Sequence, residues 1–142
     1  MNTTFIRNIR EFNRFYTDFL GSLNKKVLNS KYSLPEARVL FEINNSRVCS
    51  AKDIVNILNI DKSYLSRILK KFQRDKLIYK KKSDEDARNY YLILSELGKK
   101  ELAALESSVN TRINDLYDGL SEAERKTLEH SMQQIKKILT GK

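Results

Sequence analysis

Residues 61–72, DKSYLSRILKKF, decide the reading of this chain, because a core-facing side and a polyanion-facing side fall on one predicted helix. Leu65, Ile68, Leu69 and Phe72 recur at i, i+3, i+4 and i+7, so they line one side of that helix and can pack on a core. Ser63, Ser66, Arg67, Lys70 and Arg74 fall on the other side. Short hydroxyls beside long cations are the mixture that meets base edges and phosphates in a major groove. A solvated amphipathic helix carries the same pattern, so the flanking segments must decide.

Upstream, Ser50 with Asp53 three residues on opens a short helix with Ile54, Ile57 and Leu58 facing inward. Asn59 tolerates the left-handed conformation that a tight helix–helix turn needs, and Asp61 caps the next helix. Helix, short turn and basic helix together make a helix-turn-helix. Downstream, the aromatic and β-branched runs 77–80 and 90–94 flank a polar insert, which predicts a two-stranded ribbon with an exposed tip, a wing. Lys80, Lys81, Lys82 and Arg88 crowd that tip beside Asp84, Glu85 and Asp86. Asp86, two residues before Arg88, is placed to hold the guanidinium extended toward a minor groove.

Further out, Ser33 and Glu36 form a capping box with Pro35 in the first turn of a helix whose inner side is Ala37, Val39, Leu40 and Ile43. Asn44, Asn45 and Ser46 end it. In residues 5–28, Phe5, Ile9, Phe12, Tyr16, Phe19 and Leu23 alternate spacings of four and three, with Ile6, Phe15, Leu20 and Val27 widening the stripe. A helix so rich in Phe needs more cover than a small domain offers, which predicts a second subunit. Ser95 caps a helix carrying Leu102, Leu105, Val109, Ile113, Leu116 and Leu120. Ser121 with Glu124 opens the last, carrying Leu128, Met132, Ile135 and Leu139.

The 142 residues suit one folded domain, and one Pro with four Gly fits a helix-rich one. The net charge of +9 is concentrated: residues 62–88 hold ten Lys/Arg against four Asp/Glu, whereas residues 89–142 balance at eight each. That is the footprint expected for a polyanion. An anionic membrane surface competes as partner, but a helix lying on lipid needs a free apolar side, and here that side is needed for a core. No apolar run reaches the roughly 20 residues of a membrane span, and the N-terminus lacks a signal-peptide core, so the expected location is the cytoplasm. A single cysteine, Cys49, and a single histidine, His130, make neither a disulfide nor a His/Cys metal site. No phosphate loop, HExxH or Ser/His/Asp set proposes an enzyme, so no catalytic residue and no cofactor is expected.

Asp86-Ala87-Arg88, then Leu92-Ile93-Leu94-Ser95, then Gly98 resembles the D-x-R and L-x-L-[ST]-x-x-G pattern of the MarR (multiple antibiotic resistance regulator) family of bacterial transcription factors. Asp61-Lys62-Ser63 with Leu65-Ser66-Arg67 resembles the start of that family's recognition helix. The 9–16 and 32–40 segments look similar to members fused to an acetyltransferase domain; this chain stops after its sixth predicted helix, so the DNA-binding role is carried over and the acetyltransferase is not. The resemblance implies a mainly α fold with a small β-hairpin wing. It comprises one domain over 1–142, with dimerisation helices 5–29 and 96–140 around a winged helix-turn-helix 33–94. It also implies a homodimer on an inverted-repeat operator, and for many members release of DNA by a small ligand or an oxidant.

The leading expectation is therefore a dimeric, sequence-specific regulator of double-stranded DNA, a repressor on a pseudo-palindromic operator. Ser63, Ser66 and Arg67 are expected at base edges, Lys62, Lys70, Arg74, Lys80, Lys81 and Lys82 at phosphates, and Asp86 with Arg88 at the minor groove. The competing reading is a helical protein-interaction module whose wing does not read DNA; a third is a ligand-responsive subunit working with an enzyme. Phe12, Phe15, Tyr16 and Phe19 are candidates for an effector pocket beneath the winged domain, although aromatics at helical spacing more often form a core or dimer seam. Cys49, near a helix N-terminus, is either a redox switch with lowered pKa or a small buried hydrophobe on a short strand. His130 is expected on a helix surface.

Overall fold

The computed structural model describes residues 2–27, 30–46, 49–86 and 88–141, with the backbone alone for 23–27. Of the positions used above, Leu28, Asn29 and Ala87, and the side chains of Leu23 and Val27, lie outside the described residues. The described chain runs α1 (Thr3–Val27), α2 (Leu34–Asn45), α3 (Ala51–Leu58), α4 (Lys62–Arg74), β1 (Ile78–Lys82), β2 (Tyr90–Leu94), α5 (Glu96–Tyr117) and α6 (Glu122–Thr140).

Every helix start that the sequence marks with a polar cap is built that way. Ser33, Ser50 and Ser121 close reciprocal capping boxes with Glu36, Asp53 and Glu124, while Asp61 and Ser95 accept from the amides of Tyr64 and Gly98. Asn59 sits at φ 48°, ψ 48° and turns α3 into α4. At the other end of α4, Lys76 adopts φ 61°, and Leu77 N–H returns to the carbonyl of Phe72 at 2.9 Å, which swings the chain into β1.

The core lies within the winged part. Val39, Leu40 and Ile43 of α2, Ile54 of α3, the expected four residues of α4, Leu77 and Ile78, Leu92 and Leu94, and Leu102 and Leu105 of α5 are all buried together. Ile57, expected inward, is instead 51% exposed. An eight-residue helix buries only a narrow stripe, here Ile54 with Leu58 packed against the cluster, and Ile57 lies at its edge.

β1 and β2 pair antiparallel with Ile78 opposite Leu94 and Lys82 opposite Tyr90. The first strand thus extends two residues beyond the predicted 77–80 run, and Lys81 and Lys82 belong to the ladder, not the tip. Lysine is a weak strand former, but here the backbone pairing decides, since both side chains still reach solvent.

α1, the second half of α5 and α6 are different in kind. None of the described α6 side chains is buried, and Ile138 and Leu139 are 75% and 79% exposed. Phe5, Ile9, Phe12 and Phe15 of α1 are likewise exposed. Phe19 meets Tyr117 of α5 at a ring distance of 6.1 Å, which joins these helices on one flank.

Tyr32 is the core's polar anchor. It is 4% exposed, its ring stands edge-on to Phe72 at 5.9 Å, and its hydroxyl donates to Asp75 Oδ2 at 3.0 Å. Burial first, and the hydrogen bond to Asp75 second, push the phenol up to about 12 from 10.0. The unfolded phenol loses its proton near 10 and the folded one near 12, so stability is intact below the first value and falls as pH rises to the second. The loss should be on the order of 2–3 kcal/mol. Urea melts at stepped alkaline pH should show it, and Tyr32→Phe should flatten that part of the profile. A parallel profile in the variant would refute the assignment to Tyr32.

Candidate nucleic-acid interface

The two sides read from residues 61–72 separate cleanly in space. Leu65, Ile68, Leu69 and Phe72 are buried, while Lys62, Ser63, Ser66, Arg67 and Lys70 are exposed on the opposite side of α4. The Arg67 guanidinium lies 5.7 Å over the ring of Tyr64, an i, i+3 neighbour that restrains where the cation points. Tyr64 was missed by the sequence reading, though its spacing to Arg67 on a helix was the available signal.

A concavity of about 590 Å³ opens between α3, α4 and β1. Lys62, Lys70 and Lys80 line it together with Lys52, which sits in the first turn of α3. Lys52 was not legible as part of the site, because nothing in a single sequence places the first turn of one helix beside the side of another. The three wing lysines do not act as one group. Lys80 and Lys82 pair with Leu92 and Tyr90 on one side of the ribbon, and Lys81 pairs with Tyr91 on the other.

Two neighbours in the last turn of α4 have local partners. Arg74 Nε lies 3.4 Å from Asp75 Oδ1, so this cation is held at the helix end. Lys71, never assigned to the reading side, lies 3.0 Å from Glu36 in the first turn of α2.

At the wing tip the structure corrects the role of Asp86. Its Oδ1 accepts from the backbone N–H of Arg88 at 3.0 Å, not from the guanidinium, and among the described residues no ion pair joins the two side chains. An Asp side chain is the right length to reach the amide two residues on, and that local bond closes the turn. Arg88 remains exposed. The buried Ser83 completes the tip: its Oγ accepts from the amides of Glu85 and Asp86 at 3.2 and 3.3 Å and donates to the Tyr91 hydroxyl at 3.1 Å. The S-x-x-D spacing was the missed signal.

Cys49 is fully buried, and its carbonyl accepts from Leu92 N–H at 2.7 Å. Burial pushes the thiol above its ordinary value and the Asp53 carboxylate adds to that, the opposite of the lowering a redox switch needs. Cys49 is not assigned to a strand, but that single bond ties it to β2. The four aromatics proposed for an effector site also sit elsewhere than expected. Phe12, Phe15, Tyr16 and Phe19 line a groove of about 580 Å³ with Leu116, Met132 and Ile135, between α1, α5 and α6 and not beneath the winged domain. They stack along their own helix, Phe12 on Tyr16 at 5.6 Å and Phe15 on Phe19 at 6.0 Å, which is why the groove follows α1. His130 is exposed on α6. Among the described residues, no group of His, Cys, Asp and Glu is arranged for a metal, and no helix is long and apolar enough to cross a membrane.

A capped basic helix seated on a core, a tight turn before it and a β-hairpin after it define a winged helix-turn-helix protein with long helices at both ends. Residues 32–90, which run from the segment before α2 to the start of β2, match the model of the MarR family. The chain is 26% identical over 102 residues to the HTH-type transcriptional regulator BilQ of Clostridioides difficile, covering 72% of this chain and 69% of BilQ. It is also 26% identical over 100 residues to the transcriptional regulator SarA of Staphylococcus aureus, covering 70% of this chain and 81% of SarA. Among solved structures, Streptococcus pneumoniae FabT in complex with DNA shares the fold at a TM-score of 0.76 and 16% identity, over 94% of this chain and 98% of FabT. BilQ and SarA are both named transcriptional regulators.

Proposed function

We propose that this protein is a cytoplasmic, homodimeric transcription regulator that reads a pseudo-palindromic operator and acts as a repressor. The observation that carries the reading is the exposed row of Lys62, Ser63, Ser66, Arg67 and Lys70 on a helix whose other side is locked into the core. Ser63, Ser66 and Arg67 meet base edges, and Lys62, Lys70, Lys80 and Lys82 meet phosphates, with Arg74 and Lys81 at the margins. The similarity to BilQ and SarA, both named transcriptional regulators, and to a structure of FabT with DNA supports the same role. Two recognition helices related by a twofold axis enter successive major grooves, about 10–11 base pairs apart. Residues 5–29 and 96–140 supply the dimer and residues 33–94 the reading head. A small-molecule effector that adjusts the angle between these parts acts where α2 meets α5, beside Phe41 and Leu105.

In vitro selection from random duplex DNA with the purified protein, at moderate salt, tests the proposal. Enrichment of an inverted repeat with one-turn spacing is the expected result, and no binding at low salt would reject it. Within the selected site, Arg88→Ala should weaken binding by roughly 1–3 kcal/mol with a bias toward A·T-rich flanks, because a narrow minor groove attracts the guanidinium. Lys70→Ala should weaken every sequence alike and reduce the salt slope by about one. Competition assays across flank variants separate the two; equal losses on all flanks for Arg88→Ala would sink the wing assignment.

A further inference from the structure

We propose that Tyr32, Glu36, Lys71 and Asp75 form a positioning site that fixes the tilt of α4 against the segment leading into α2, and so sets the half-site spacing the dimer accepts. The inference rests on the DNA reading proposed above and adds residues that lie off the reading side.

Asp75, the C-cap of α4, gathers the Tyr32 hydroxyl at 3.0 Å, Lys31 Nζ at 3.2 Å and Arg74 Nε at 3.4 Å. One turn earlier, Lys71 Nζ lies 3.0 Å from both carboxylate oxygens of Glu36 and 3.3 Å from the Lys31 carbonyl, and 5.1 Å over the Tyr32 ring. Glu36 is shared between two helices: its Oε2 also accepts from Ser33 N–H at 2.9 Å, closing the capping box of α2. The first turn of α2 and the last turn of α4 therefore hold one carboxylate in common.

Burial pushes the Asp75 carboxyl up, but hydrogen bonds from Lys31, Tyr32 and Arg74 together outweigh it and hold the group below the ordinary Asp range. The carboxylate is thus charged and engaged at any pH at which the protein would meet DNA. Lys71 and Asp75 stand on the flank of α4 between the buried Phe72 and the exposed Lys70 and Arg74. Their partners, Lys31 and Tyr32, lie in the segment that follows α1 in sequence. A displacement of that segment is passed to the end of α4 through these polar links.

The geometry makes the effect large enough to read. A helix of 13 residues is about 20 Å long, so pivoting by about 10° at its C-terminal end moves its N-terminal end by about 3.4 Å, roughly one base-pair step. Loosening the site should therefore relax spacing preference by one base pair before it affects contacts within a half-site.

The test uses the full chain and three groups of duplexes: the selected operator, the same half-sites with the spacer changed by one base pair either way, and a single half-site. Glu36→Gln keeps an acceptor for the α2 cap while removing the charge, and Tyr32→Phe keeps the ring against Phe72 while removing the hydroxyl. For the wild type, a preference of roughly tenfold or more for its own spacing is expected. The double variant should narrow this to about threefold while its half-site affinity stays within about twofold. A purely structural role would weaken all duplexes in parallel, and that result, or an unchanged spacing preference, overturns the inference. Absence of selective binding by the wild type would instead overturn the DNA-reading proposal itself. Glu36→Gln alone, which leaves the core untouched, should shift the preference in the same direction; no shift counts against the site.

Discussion

Gly98→Ala is expected to lower the melting temperature by on the order of 10 °C, through a loss of about 3 kcal/mol. The first turn of α5 crosses the corner where α4 becomes β1. Ser95 donates its backbone N–H to the Leu77 carbonyl at 2.9 Å and its hydroxyl to the neighbouring Lys76 carbonyl at 2.6 Å, which draws the helix onto that corner. A methyl at residue 98 would overlap the Leu77 carbonyl oxygen and crowd the rest of its backbone. Backbone atoms cannot swing aside as a flexible side-chain end can, and Leu77 cannot retreat without disturbing the Ile78–Leu94 pairing beside it. Gly119, between α5 and α6, is the control: nothing lies within 4 Å of an added Cβ, so Gly119→Ala should change stability by less than about 0.5 kcal/mol. Thermal melts followed by circular dichroism would decide. A Gly98→Ala melt close to wild type would mean that α5 can shift off the corner and that the glycine is not required by close approach.

That glycine shows what a single sequence can and cannot disclose. Its place three residues after Ser95 was visible, and so was the cap, because both belong to one helical turn. The reason for a glycine lay in Leu77, which only the folded corner brings near. Local spacing likewise revealed the caps at Ser33, Ser50, Asp61 and Ser121, the left-handed Asn59 and the two sides of α4, since each depends on residues within one or two turns. The role of Asp86 was misread for a physical reason: a short carboxylate near a backbone amide and a guanidinium satisfies the amide first, since that bond costs little side-chain freedom. The links of Tyr32 to Asp75 and of Glu36 to Lys71 span 43 and 35 positions and carry no periodic signal, so they were invisible. The same limit hid Lys52 beside α4.

Replacing both Phe12 and Phe15 by Glu is expected to yield a folded monomer whose operator affinity is lower by roughly 10²–10⁴-fold. Phe15 is 62% exposed in the single chain and Phe12 is also exposed, so neither substitution removes a side chain from the winged core. Both rings instead line the groove with Leu116, Met132 and Ile135, and carboxylates there would have to be desolvated if a second subunit covered it. A contiguous apolar surface over α1, α5 and α6 of this extent is the kind that marks a protein interface. Two recognition helices held together bind an inverted repeat far better than one, because the second half-site is met at high effective concentration. The single half-site is the internal comparison: its affinity should be nearly the same for variant and wild type, since α4 and the wing are untouched. Light scattering at micromolar concentration gives the oligomeric state, and titration of labelled duplexes gives both affinities. A wild-type monomer would remove the dimer from the proposal. A monomeric variant that kept full operator affinity would show that one reading head suffices, and would leave the aromatic groove free for another role.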